Sequence, residues 1–430
     1  MSEKRVVLFD LGILSTSTRE RGVGRYVSEL GRGLVALQRE WDDLEIVFLE
    51  RIERGGRVTL SHELEPTLRR MSERQVEARH LWTYPLRLFA GRAARRAGAS
   101  LLHLPAPGAT PLRLGQVPSV VTCHDLIPYK YPDHYANLED GFRWGRRALD
   151  RRRYAAAEHV IAISRATARD LKELLGLGPE RVTVVPSGID RARWSAQGSE
   201  SDAQHLAKLG LSGRRFVLYV GDGDWRKNAP GMLQALAHAR RTDGSLELVW
   251  AGTMSCAAYE RERRAHAQSS GVEQACHFLG YVADDALGAL YRAALGTLLV
   301  SRAEGFGYPV LEAMAAGCAV IASNTSSLPE VAGDAALLVD PESPRAIAQA
   351  MAVLGREPER RRELVRRGAQ RVREFSLEAQ ARGTLAAYRA TLRRRDCHRS
   401  SSASKVDQEA RLDADAGLLD VDTPSSSLGF

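Results

Sequence analysis

The sequence predicts an α/β protein built as two doubly wound domains that face each other across a cleft. Three observations predict it. At 430 residues the chain is too long for one ordinary hydrophobic core. Short apolar or β-branched runs alternate with stretches of helical period, the pattern of parallel sheets flanked by helices. A polar, Gly- and Ser-containing stretch, residues 193–204 (RWSAQGSESDAQ), separates two sets of such runs and reads as an interdomain linker.

The first set of strands is expected at Arg5–Phe9, Leu44–Leu49, Leu101–Leu104, Ser119–Cys123, His159–Ile163 and Val182–Val185. The second is expected at Phe216–Val220, Leu246–Trp250, His277–Leu279, Leu295–Val300, Ala319–Ala322 and Ala336–Val339. Residues 1–192 and 205–375 therefore read as the two domains. Residues 376–395 read as a helix with apolar positions at Leu377, Leu385, Tyr388 and Leu392. From Asp396 the chain turns polar and rich in Ser and Asp, so residues 396–430 are expected to be disordered for want of apolar surface to bury. In open sheets of this kind, ligands collect where the carboxyl ends of the strands meet the cleft.

Composition is that of a soluble globular protein, 44% hydrophobic and 27% charged. No apolar run approaches the roughly 18 residues that cross a bilayer. The N-terminus (MSEKRVVLFDLGIL) runs straight into a strand, and no signal peptide is expected. Five scattered cysteines with no CxxC pair suit reduced thiols in a cytoplasmic protein, neither a disulfide frame nor a zinc site. The net charge of +8 rests on arginine clusters, Arg87, Arg92, Arg95 and Arg96, then Arg143, Arg146, Arg147 and Arg151 to Arg153. Solvated helix faces are the first explanation, a basic surface for anionic lipid or a phosphate-bearing acceptor the second. Nucleic acid is not expected as a partner, because no binding module accompanies the charge.

The segment Ser301–Gly317 (SRAEGFGYPVLEAMAAG) carries the most chemistry. Glu304 lies in a loop and Glu312 in the opening turns of a helix, with a glycine-containing turn between them. Pro309 suits a first helical position, where its missing N–H costs nothing. The free N–H groups between Gly307 and Leu311 (Gly307, Tyr308, Val310 and Leu311) are expected to face an anionic, oxygen-rich ligand at the positive helix end. Two carboxylates beside such an end suit a ligand with both hydroxyls and phosphate. A nucleotide sugar fits that description.

Four other segments bear on the same ligand. In RERGVGRYVSEL, Gly22 and Gly24 precede a helix expected to begin near Arg25 and would let backbone approach a phosphate, although an ordinary strand-to-helix turn would look the same. In VVTCHDLIPYKYP, His124 and Asp125 fall at the carboxyl end of an apolar strand, where α/β sites form; a lone histidine is otherwise usually structural. In FVLYVGDGDWRKNAPGMLQAL, Arg226 and Lys227 stand at a helix entrance, a poor place for two cations unless an anion sits between them. Asp222 and Asp224 imitate a DxD metal site, but the adjacent cations can neutralise both carboxylates, and no metal is assigned. In FLGYVADDALGALYRAA, the backbone at Tyr281 and Val282 suits a base edge as well as it suits a plain loop.

The run EGFGYPVLEAMAAG, followed by CAVIASNTSSLPEVAGDAALLVDP, resembles the signature of the retaining glycosyltransferase family 4. Its members have the GT-B fold, two Rossmann-like doubly wound domains facing a cleft, with a C-terminal helix crossing back to the N-terminal domain. GVGRY, HDLIP, AISRAT, VPSGID, YVGDGDWRKN and FLGYV follow in the family's order, so the resemblance covers about Val6 to Leu392. It implies that Glu312 binds ribose hydroxyls and that Glu304 lies against the donor sugar near the reacting carbon. The amides of Phe306, Gly307, Tyr308 and their neighbours would hold sugar hydroxyls and phosphate, and Arg226 and Lys227 would grip the diphosphate. Gly22 and Gly24 would let the N-terminal domain close, and His124 would reach the sugar from that side.

The resemblance further implies an NDP-sugar donor, no cofactor, and hexose transfer with retention. The HDLIP and RKN segments resemble members that use GDP-mannose, in preference to UDP-sugars. The acceptor is left open among glycans, lipid-linked saccharides and natural products; the basic clusters suit a lipid-linked one at the inner face of a membrane. Two positions depart from the family. Asp222 stands where many relatives carry a second phosphate-binding arginine, and Leu377 where many carry Trp. A catalytically silent GT-B scaffold is the competing class, opposed by intact Glu304, Glu312, Arg226 and Lys227. A phosphorylase or a sugar-nucleotide epimerase on the same fold competes within enzymes, and the first would need a cofactor-bearing lysine that the sequence does not display. The missing GxGxxG disfavours a NAD-dependent dehydrogenase.

Overall fold

The computed structural model describes residues 4–16, 19, 22–52, 57–73, 90–106, 117–135, 151–252 and 257–416. Two sheets organise them. The first consists of β1 Arg5–Asp10, β2 Leu44–Ile52, β3 Val58–Ser61, β4 Leu101–Leu104, β5 Ser119–Cys123, β6 His159–Ala162 and β7 Val182–Val184. Its spatial order is β3-β2-β1-β4-β5-β6-β7. The second consists of β8 Arg215–Val220, β9 Leu246–Ala251, β10 Cys276–Gly280, β11 Thr297–Leu299, β12 Val320–Ser323 and β13 Ala336–Val339, in the order β10-β9-β8-β11-β12-β13. The described pairings are parallel except that of β2 with β3.

Central strands β4, β5 and β6 (LLHL, SVVTC, HVIA) are buried at every position, because helices cover both faces of a parallel sheet. That burial makes them legible as apolar runs. β3 was not expected: its four residues are half-buried or exposed at an antiparallel edge, so no apolar run announces it. Each sheet reverses its winding beside its first strand, between β1 and β4 and between β8 and β11. The crevice for a ligand opens at the carboxyl ends there.

Five helices matter for the site: α1 Gly22–Leu37, α2 Arg165–Leu175, α3 Ala229–Arg240, α4 Tyr308–Ala315 and α5 Leu377–Ala416. Tyr26, Val27, Leu30, Leu34 and Leu37 form the buried stripe of α1. α5 lies against α1, so closely that a β-carbon on Gly33 would stand 2.6 Å from the Leu377 carbonyl oxygen. Buried Tyr388 of α5 reaches the first sheet, its Oη 2.5 Å from His103 Nδ1, while His103 Nε2 is 2.9 Å from Thr122 Oγ1. α5 runs past the end expected at 395, through residues 396–416 that were expected to be disordered. Between Gly383 and Gly417 the sequence contains neither Gly nor Pro, so no backbone breaker interrupts the helix. The rest of the expected disordered tail, 417–430, lies outside the described residues, as do Arg87, Arg143, Arg146 and Arg147 of the basic clusters. Among the described residues no helix is long and apolar enough to cross a membrane.

Candidate active site

The loops that follow β8 and β11 carry the charged groups. After β8, Asp224 caps the turn Trp225–Lys227, its Oδ1 accepting the Arg226 N–H at 3.0 Å. Asn228 then adopts a left-handed backbone, φ 60°, which a non-glycine residue reaches only with support. Its amide nitrogen donates to the carbonyls of Val300 (3.1 Å) and Pro341 (2.7 Å), and its Oδ1 caps α3 at Gly231. Those bonds fix the turn and hold Arg226 and Lys227 toward the loop after β11.

Glu304 is at the centre of that loop. One carboxylate oxygen accepts from Arg226 Nη1 at 2.6 Å, the other from Lys227 Nζ at 2.6 Å and Ser301 Oγ at 2.8 Å. Burial alone would raise the carboxyl's pKa, but the neighbouring Arg226 and Lys227 outweigh it and hold the value at about 2. Desolvation likewise works against the Arg226 guanidinium, and Glu304, Asp125, Asp224 and Asp222 together reverse it, so its pKa is raised. The main chain of Glu304 is held from both ends: its N–H donates to Ser326 Oγ at 3.0 Å, and its carbonyl accepts from Ser326 and Ser327. Ser326 is itself left-handed, φ 60°. Gly307, φ 107°, opens α4 where a β-carbon would stand 2.5 Å from the Leu328 side chain.

His124 comes from the opposite sheet, directly after β5. Its Nε2–H donates to the Pro105 carbonyl at 2.7 Å, and the Tyr26 ring meets it edge-on at 4.8 Å. Burial lowers its pKa, so the ring is neutral and Nδ1 is left as an acceptor. Its carbonyl presses on Gly305, and Thr167 Oγ1 of α2 lies 3.3 Å from that oxygen and 3.4 Å from the Gly305 carbonyl. Glu330 completes this junction by accepting the first N–H groups of α2, those of Arg165 and Ala166, each at 2.9 Å.

A second bridge grips the cationic turn from above. His134 stacks on Trp225 with centroids 3.5 Å apart, and Tyr135 Oη donates to Asp224 Oδ1 at 2.9 Å. The Glu312 carboxylate, on α4, accepts from Tyr291 Oη at 2.9 Å and pairs with Arg25 of α1 through its other oxygen.

A cleft of about 870 Å³ gathers Gly22, His124, Arg226, Lys227, Val282, Glu304, Phe306, Gly307, Tyr308 and Glu312. Three expected residues fall elsewhere. Val310 and Leu311 are fully buried in the core, and the Val310 N–H, expected to face a ligand, donates instead to the Gly307 carbonyl at 3.0 Å because the helix has already begun. Gly24 lacks a side chain for packing, since a β-carbon would lie 2.1 Å from the Arg19 carbonyl oxygen. Asn228, Ser326, Ser327, Tyr135 and Arg25 were not singled out in the sequence. Asn228 and Arg25 stand inside segments read as chemical, and Ser326 and Ser327 inside the run that carries the family resemblance; Tyr135 and Arg25 meet partners about 90 and 290 residues away, a pairing no local pattern displays.

Two doubly wound domains, with paired cations and a carboxylate at the switch point of the second, are the arrangement of the GT-B fold. Residues 202–371 match the family described as Glycosyl transferases group 1, and residues 21–193 match Glycosyltransferase Family 4. The chain belongs to glycosyltransferase family 4. O-antigen chain mannosyltransferase B of Escherichia coli is 29% identical over 278 residues, 63% of this chain and 70% of that protein. Alpha-maltose-1-phosphate synthase of Mycolicibacterium smegmatis is 32% identical over 294 residues, 64% of this chain and 73% of that protein. The D-inositol 3-phosphate glycosyltransferase of Segniliparus rotundus is matched over only 54% of its length. Anabaena HepE, solved in complex with UDP-glucose, superposes with a TM-score of 0.66 at 18% identity, over 89% of this chain and 99% of that one.

Proposed function

We propose that the chain transfers a hexose from a nucleoside diphosphate sugar to an acceptor hydroxyl, with retention at the anomeric carbon. One observation carries the reading: Arg226 and Lys227 share the single carboxylate of Glu304 at the β8/β11 switch point, with the neutral His124 across the cleft. The two cations stand beside the place of a leaving diphosphate, where they would oppose the charge that develops on it, and the α4 N-terminus adds to that. The bond from C1 to the diphosphate oxygen breaks as the acceptor oxygen attacks the same face, and the acceptor's proton passes to the departing phosphate. Glu304 is ionised and engaged by three donors, which suits a group that shapes the sugar pocket and not a covalent nucleophile. Glu312 would hold the ribose, the backbone of Val282 the base, and the His124 Nδ1 a sugar hydroxyl. Residues 1–192 serve as the acceptor side and 205–375 as the donor side.

GDP-mannose is the proposed donor, favoured by the HDLIP and RKN segments and by the likeness to a mannosyltransferase. A cytoplasmic enzyme acting on a lipid-linked glycan precursor at the membrane face fits the remaining basic clusters. Thermal-shift titration with a panel of NDP-sugars, followed by an assay for sugar release or transfer, tests the reading. GDP-mannose should stabilise the protein most, and only the true donor should turn over. Stabilisation by none of the panel would sink the proposal.

A further inference from the structure

Glu29 lies one helical turn beyond Arg25 on α1, at the wall of the cleft. It is 1% exposed, and among the described residues neither carboxylate oxygen has a hydrogen-bond partner. An unpaired carboxylate in such a place is costly unless it takes up a proton or a cation comes to it. The charged and titratable groups facing it are Arg25 and Arg32 on its own helix, Asp190 and Arg193 from the segment entering the second domain, and the Tyr308 hydroxyl of α4. Arg32 is engaged by Glu65 and Arg193 by Asp284. Arg25 is engaged by Glu312 and lies 3.6 Å from Asp284. That third pairing is the one a donor would break. A ribose donating its hydroxyls to Glu312, which Tyr291 already engages, competes with Arg25 for that carboxylate.

We propose that Arg25 is a positioning residue which donor binding transfers from Glu312 to Glu29, so that seating the nucleotide drives a proton off Glu29. The two side chains stand at the i, i+4 spacing that favours a helical ion pair. The proton has somewhere to come from: burial raises the Glu29 carboxyl, against the pull of Arg25 and Arg193, to about 7, so about half of it is protonated at neutral pH. Arrival of the guanidinium stabilises the carboxylate, and the proton passes to the buffer. The exchange also returns Glu312 to the ribose with no cation competing for it. It rests on the reading of Glu312 as the ribose-holding group.

Calorimetric titration of the full chain with GDP, or with UDP if that binds more tightly, in two pH 7 buffers of unlike ionisation enthalpy measures the protons released. The nucleotide's own phosphate contributes equally to every variant, so the difference between variants is the readout. Glu29→Gln and Arg25→Met should each release about half a proton fewer per nucleotide than the wild type. Equal release from the wild type and a folded Glu29→Gln or Arg25→Met protein overturns the exchange. A Glu312→Gln arm separates the two readings. If nucleotide affinity changes by less than about twofold there, the ribose assignment has failed. If it falls by about tenfold or more while Glu29→Gln still matches the wild type, the exchange alone has failed.

Discussion

The carbonyl oxygen of His124 lies so close to Gly305 that a β-carbon at 305 would stand 2.2 Å from it. The two residues belong to opposite sheets, and Gly305 adjoins Glu304, so this contact sets how near the two walls of the cleft approach. Gly305→Ala should wedge them apart. We expect kcat/KM for the donor to fall by about tenfold or more, with an unchanged circular dichroism spectrum. Steady-state kinetics on the folded variant checks this, and wild-type kcat/KM would place the closing contact elsewhere.

Arg226→Ala and Lys227→Met should each cut turnover by about a hundredfold or more through loss of charge opposite the diphosphate. The fold should feel these changes too, because both cations neutralise a buried carboxylate and Lys227 is only 8% exposed. Lys227→Met should therefore also cost about 1–3 kcal/mol of stability. Adding Glu304→Gln should return most of the stability and none of the turnover. Denaturant melts beside activity assays on the three proteins separate the two effects.

Acid stability should carry the mark of Glu304. Its folded pKa, about 2, lies below the ordinary 4.5, so its contribution is complete above pH 4.5 and is lost as pH falls through 2. The full loss is about 3 kcal/mol. Melts between pH 6 and pH 3 should show a shallower decline for Glu304→Gln than for the wild type. Parallel declines would mean the carboxylate is not held by its cations in solution.

Asn228 tests the scaffold of the cationic turn. Asn228→Gly keeps the left-handed backbone and loses the bonds to Val300 and Pro341; Asn228→Ala loses both. We expect about 1–2 kcal/mol lost for Gly and about 1 kcal/mol more for Ala, by chemical denaturation. The reverse order would show that the backbone conformation carries no cost.

Much of this protein is written in short stretches of its chain. Strands such as Ser119–Cys123 are buried on both faces, so their apolar runs stand out, whereas the half-exposed edge strand Val58–Ser61 has nothing to mark it. The charged core of the cleft was legible for a similar reason: Arg226 and Lys227 adjoin each other, and Glu304 and Glu312 share one loop and helix. What could not be read was which groups meet across the cleft. His134 on Trp225, Tyr135 on Asp224 and Arg25 on Glu312 are products of how the two sheets are set against each other. The Val310 amide, expected to face a ligand, is consumed by the first turn of α4, a matter of one residue in where a helix starts.

Tyr388 closes a hydrogen-bonded chain with His103 and Thr122 inside the first sheet's core, and its helix rests on Gly33. The last helix thus supplies interior to the body that is made first. A ribosome reading from the N-terminus would release the first domain with that groove still bare, an apolar trough lacking its lining until nearly four hundred residues have emerged. The nascent chain must keep this trough from its neighbours throughout the synthesis of the second domain. A fragment ending at 192 should accordingly be protease-sensitive and prone to aggregate, and a peptide spanning 376–395 added in trans should protect it.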